Sequence, residues 1–129
     1  MKLPLYAISA LYLLTAIYMF VAPQVFYDQT PGVAMMGPFN THFIRDAGLA
    51  FLTSGGALLW GTLNQNRAVA VVGAVWPCLH AVFHIWVWIA RGFPVDQIAL
   101  INLVGIQLPA WLALFAAMKL PPTLQGLQK

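Results

Sequence analysis

A chain of 129 residues is enough for one domain, and 61% of this one is hydrophobic while only 7% is charged. So few charges cannot cover a water-facing surface, which excludes an ordinary soluble domain. The net charge of +3, from six basic and three acidic residues, is small and scattered, so it excludes a clustered nucleic-acid-binding face.

The first apolar segment spans about residues 3–22 and is long enough to cross a bilayer. A cleaved signal peptide fits poorly here. A cut after Ala22 would place Phe20 where a small residue is wanted and Pro23 immediately after the cut. The segment reads as a retained helix that carries Tyr18 near its far end.

Residues 23–40 form the longest loop, punctuated by Pro23, Pro31, Gly32, Gly37 and Pro38. Its apolar residues, among them Phe26, Tyr27, Met35, Met36 and Phe39, suit a segment folded onto a membrane surface. Such a loop serves either as an interfacial connector or as a lid over a site beneath it.

The second helix is expected at about 41–63, after an Asn40-Thr41 cap. His42, Arg45 and Asp46 lie in its first turn and a half, and His42 and Asp46, four apart, share a face. Gly48, Gly55 and Gly56 allow a neighbouring helix to approach closely. A polar turn, residues 64–67, leads to the third helix at about 68–91. Pro77 is expected to kink it, and Gly92 suits a left-handed C-cap. The fourth helix is expected at about 96–120, begun by Asp96, stopped by Pro121-Pro122, and carrying Asn102 and Gln107.

The fold class expected is therefore all-α: a single domain, 1–129, forming a four-transmembrane-helix bundle. Lys2, Arg67, Lys119 and Lys129 fall on one side, with Arg91 opposite and Arg45 at a helix start, so the positive-inside rule places both termini in the cytoplasm. The expected partners are the lipid bilayer, a small molecule or metal ion arriving from the outer side, and a second copy of the chain across small-residue faces.

The third helix carries the strongest chemical signal, His80 and His84, four residues apart within an apolar run. Ionisable groups are costly in hydrocarbon, so such a pair points to function. At 1.5 Å per residue, His84 lies about 10 Å and His80 about 16 Å below the outer end of its helix. By the same arithmetic Tyr18, Asp46, Asn102 and Gln107 lie about 6–16 Å deep. Polar groups from all four helices thus share the outer half, which suggests a pocket opening outward.

His42, Asp46, His80 and His84 together would offer three nitrogens and a carboxylate, a set suited to zinc, copper or iron. Arg45, Asn102, Gln107 and Tyr18 would surround it. This predicts a transition-metal protein, either a membrane enzyme acting on a small or lipophilic substrate or a metal carrier. Haem is the runner-up cofactor, although no attachment motif is present. A different class is a transporter or structural oligomer that relays protons through the histidines, which the nearly apolar inner half argues against. A hydrogen-bonded structural knot is the bland alternative. The lone Cys78 permits no internal disulfide and reads as a small core residue.

The stretch GPFNTHFIRDAGLAFLTSGGALLW, followed by WPCLHAVFHIW, resembles a group of small four-helix bacterial inner-membrane proteins that are DoxX-like. The resemblance covers about residues 3–120. It implies a four-helix fold and a bacterial inner-membrane location, and it brings no activity or ligand with it.

Overall fold

The computed structural model describes residues 2–122. The polar tail, with Lys129 of the charge count, lies outside them. The described chain is all-α. In order it forms α1 (Lys2–Val21), α2 (Pro23–Gln29), a 3₁₀ turn (Ala34–Met36), α3 (Thr41–Leu63), α4 (Arg67–Ala90), α5 (Gln97–Ile101), a π segment (Asn102–Gln107) and α6 (Leu108–Met118).

Local chemistry sets the helix starts. Asn40, Asn66 and Asp96 each accept a hydrogen bond from the backbone N–H three residues on, at 3.1, 3.1 and 2.8 Å. A side-chain oxygen here satisfies one of the N–H groups that a first turn leaves free. At the far end of α4 the chain reverses through Gly92, with φ +81°.

Among the described residues three helical stretches are long and apolar enough to cross a membrane: Lys2–Val21, Arg67–Ala90 and Gln97–Met118. This differs from the expectation of four equivalent spans. α3 is 23 residues long, but His42, Arg45, Asp46 and its Gly, Ser and Thr residues lower its hydropathy. Those small residues have a structural use. α3 packs against α1 on one side and α4 on the other. A methyl added at Gly61 would sit 2.5 Å from the Ala70 nitrogen, and one at Gly73 would sit 2.8 Å from the Leu58 nitrogen. The two backbones approach so closely that no side chain fits between them.

One end of the bundle holds the start of α1, the turn at 64–66 and the end of α6. There Leu5, Ile8, Leu58, Ala70, Ala74, Ala113, Ala116 and Ala117 form a dry core. The buried hydroxyls of Ser9 and Thr62 donate to the carbonyls of Leu5 and Leu58, four residues back, both at 2.7 Å.

The other end carries the loops. α2 and the 3₁₀ turn fold the 23–40 stretch onto itself: Tyr27 donates to the Gly37 carbonyl at 2.7 Å and meets the Phe39 ring edge-on. Gly32 presses on Ile98 of α5, with room for no more than hydrogen.

The last span departs from the regular helix expected at 96–120. In the π segment the Leu108 N–H bonds the Leu103 carbonyl, five residues back, widening the turn. Pro109, which has no N–H to give, follows immediately. α6 packs against both α4 and α1, whereas the π segment packs against α4 and α5 packs mainly on the π segment.

Candidate functional site

The buried face of α3 runs Ile44, Gly48, Gly55, Leu58 and Thr62. His42 and Asp46 stand two residues either side of Ile44, close to half a turn away, and therefore point out of the bundle. His42 Nδ1 pairs with Asp46 Oδ2 at 2.8 Å, their side chains 84% and 58% exposed. Arg45 goes elsewhere: its Nε donates to the Phe20 carbonyl at 3.2 Å, a cation on the last turn of α1. The Tyr18 hydroxyl also turns to the loops, donating to Gln29 Oε1 at 3.3 Å.

The expected metal constellation therefore does not form. Among the described residues no three His, Cys, Asp or Glu side chains come together to hold an ion. The metal-binding function predicted from His42, Asp46, His80 and His84, as enzyme or as carrier, is overturned on that finding. Depth along the helices brought the four into one layer, but rotation about the helix axis sends two of them outward.

His80 and His84 do meet, with ring centroids 4.5 Å apart and planes at 66°. His80 stacks on Trp76 and faces the edge of Phe51. Neither imidazole makes a hydrogen bond among the described residues. They face cavities instead. One, of about 10 Å³, lies among Tyr12, Phe51, Pro77, His80, Gly105 and Ile106. The other, of about 20 Å³, lies nearer the loops and is lined in part by His84, Trp88, Arg91, Ile98 and Asn102. Each is about the size that holds one water.

Asn102 and Gln107 face α4 across this seam. Five residues apart, they would diverge on a regular helix, and the π turn brings them together. Gln107 Nε2 donates to Asn102 Oδ1 at 3.2 Å and to the Ala81 carbonyl at 2.8 Å. Gln107 Oε1 accepts from Trp111 Nε1 at 3.0 Å, and Asn102 Nδ2 donates to the His84 carbonyl at 3.4 Å. The amides thus spend their hydrogen bonds stitching the last span to α4 and leave the imidazoles unpartnered. At the mouth, Arg91 pairs with Asp96, and Trp88 Nε1 donates to the Pro94 carbonyl at 2.9 Å. The Asp96 carboxyl is held below the usual aspartate range, first by the Arg91 hydrogen bond and then by the Ala99 N–H.

Tyr12, passed over in the sequence, completes the site. It is 2% exposed and makes no hydrogen bond among the described residues, yet none of their buried side-chain polar atoms is sealed away without a partner. Tyr12 lines the cavity it shares with His80, and its hydroxyl keeps some exposed surface. A findable signal was its place in the inward series Leu5, Ser9, Tyr12, Ala16, Met19, spaced 4-3-4-3. Cys78 Sγ is occupied by the Ala110 carbonyl at 3.4 Å, within the core.

Compared with family models, curated proteins and solved structures, the chain finds no match.

Proposed function

We propose that this chain is an integral membrane protein of four spans, both termini cytoplasmic, that binds a small molecule without a metal. The molecule sits at the seam of Tyr12, His80 and His84 in the outer half of the bilayer. One observation carries this reading: three polar side chains that lack hydrogen-bond partners face small cavities on the same inward seam. A neutral imidazole offers one donor and one acceptor, and a phenol hydroxyl offers both. Buried polar groups are ordinarily satisfied, so such a set suits a ligand or water that completes the bonding.

Three long apolar helices support the membrane assignment. α3, held between α1 and α4, makes the fourth span. Lys2, Arg67 and Lys119 at one end, against Arg91 at the other, support the orientation. The bacterial inner membrane follows from the resemblance alone.

Native mass spectrometry of detergent-extracted protein tests the binding. Wild-type protein should carry a noncovalent small-molecule adduct that the His80→Leu/His84→Leu double variant lacks. Identical spectra from the two would overturn the reading.

A further inference from the structure

We propose, resting on the site just described, that its ligand is a membrane-dissolved ring compound bearing a hydroxyl group. It enters sideways from the lipid past Gly105, between α1 and the π segment. α1 meets the last span chiefly through α6, so above Tyr12 the last span is braced mainly by α4. Gly105 stands on this stretch of the π segment. It is exposed at the bundle surface, it lines the same cavity as Tyr12 and His80, and a methyl added to it would meet nothing within 4 Å. A gap in the wall therefore leads from the bundle surface to the Tyr12 hydroxyl and the His80 imidazole.

The loop end holds the second cavity, which is rimmed in part by charged and amide groups, Arg91 and Asn102. Gly32 presses on Ile98, Arg91 pairs with Asp96, Trp88 bonds the Pro94 carbonyl, and Asn102 and Gln107 stitch the seam below. The rim of the gap is apolar: Leu103, Val104 and Leu108 are all exposed. A molecule dissolved in lipid meets this rim, while one dissolved in water meets the stitched end.

The lining selects the head group. The cavity at His80 has room for about one oxygen-sized group. Tyr12 and His80 offer that group a donor and an acceptor. The walls of the cavity include the rings of Tyr12, Phe51 and His80, and Gly105 stands at its exposed edge. Aromatic walls favour a planar ring. The hydroxyl occupies the cavity, the ring lies over Gly105, and any alkyl tail stays in the bilayer.

Radiolabelled 4-nonylphenol, a neutral lipophilic phenol, serves as the probe for both the affinity and the association rate of binding to protein in nanodiscs. Tyr12→Phe and His80→Leu remove the partners of the hydroxyl. Gly105→Leu fills the gap and Ala99→Trp plugs the loop end, with thermal melts confirming that each variant is folded. Tyr12→Phe and Gly105→Leu should each weaken binding about tenfold or more, and Gly105→Ala by an intermediate factor. Ala99→Trp should leave the association rate within about twofold of wild type. Binding weakened in Tyr12→Phe, with association slowed in Ala99→Trp but unchanged in Gly105→Leu, would overturn the lateral route and leave the site standing. Binding unaffected by Tyr12→Phe and His80→Leu, or absent from wild type, would overturn the phenol assignment. Whether the seam binds any ligand is then decided by the adduct spectra.

Discussion

Trp76 and His80, one turn apart on α4, stack with ring planes 11° apart and centroids 4.9 Å apart. The imidazole is thus held by aromatic faces and not by hydrogen bonds, and its nitrogens remain free to bond something else. Replacing it by an apolar side chain of similar size should therefore not leave a severed network behind. The expected change in stability for His80→Leu is within about 1 kcal/mol of zero, measured by reversible unfolding in mixed micelles. A loss of several kcal/mol would show that His80 holds the bundle together.

Gln107 is the opposite case. It makes three side-chain hydrogen bonds, to the Ala81 carbonyl, Asn102 and Trp111. Gln107→Leu removes all three and leaves the Trp111 N–H and Asn102 oxygen short of partners. A loss of about 1–3 kcal/mol is expected. The same unfolding assay checks it, and a neutral result would mean that the π segment is not anchored through this amide.

The contact between α3 and α4 makes a sharp steric prediction. Gly61→Ala drives a methyl to within 2.5 Å of the Ala70 backbone, so the helices must separate, at a cost of about 1–3 kcal/mol. Gly56→Ala adds the same methyl where nothing lies within 4 Å. It should be neutral or stabilising by up to about 1 kcal/mol, since alanine favours helix over glycine. Thermal melts of the two variants side by side give the comparison.

Acid should loosen the start of α5. The Asp96 carboxyl is held below its ordinary range in the folded chain, chiefly by Arg91. A depressed folded pKa means that the stabilisation is fully present above the unfolded aspartate value. It is lost as pH falls through the lowered folded one. Hydrogen exchange at the Ala99 amide should therefore remain slow near neutral pH, relative to its intrinsic rate. It should lose protection only under distinctly acid conditions. Asp96→Asn keeps a capping oxygen and should lose that dependence.

His42 and Asp46 form an exposed pair on the outer face of α3. Alanine at either position should change stability by less than about 0.5 kcal/mol and leave adduct formation at His80 unaltered. Loss of the adduct in Asp46→Ala would show that the carboxylate reaches the seam after all.

The all-α class was legible from apolar runs long enough to cross a bilayer as helices, in a chain whose 61% hydrophobic and 7% charged residues leave no water-facing surface. The pairing of His80 with His84 followed from helical spacing alone. What failed was azimuth. Depth along an axis says nothing about which way a side chain faces, and the four-residue spacing of His42 and Asp46 was matched by Ile44 and Gly48 on the opposite face. Ile44, Gly48, Gly55 and Leu58 form a small and apolar stripe that is visible in the sequence, and packing along it turns the carboxylate outward. The π turn had a weaker signature. Pro109 removes a donor from the ladder, but it does not dictate a widened turn, so the convergence of Asn102 and Gln107 required the structure. Tyr12 was missed because only depth was used to pick out polar residues, and its place in the inward 4-3 series was not.

The close approach of Gly61 to Ala70 and of Gly73 to Leu58 also bears on how the protein is made. On the four-span reading, α3 is the least lipophilic of the crossings and carries ionisable residues in its first turns. A segment like that partitions poorly into a bilayer by itself. Joined to α4 by three residues and able to zip against it along glycine, it can go in as a hairpin, its polar atoms already shielded by a companion. Synthesis halted before α4 emerges should then leave α3 outside the bilayer, and completion of α4 should carry both across.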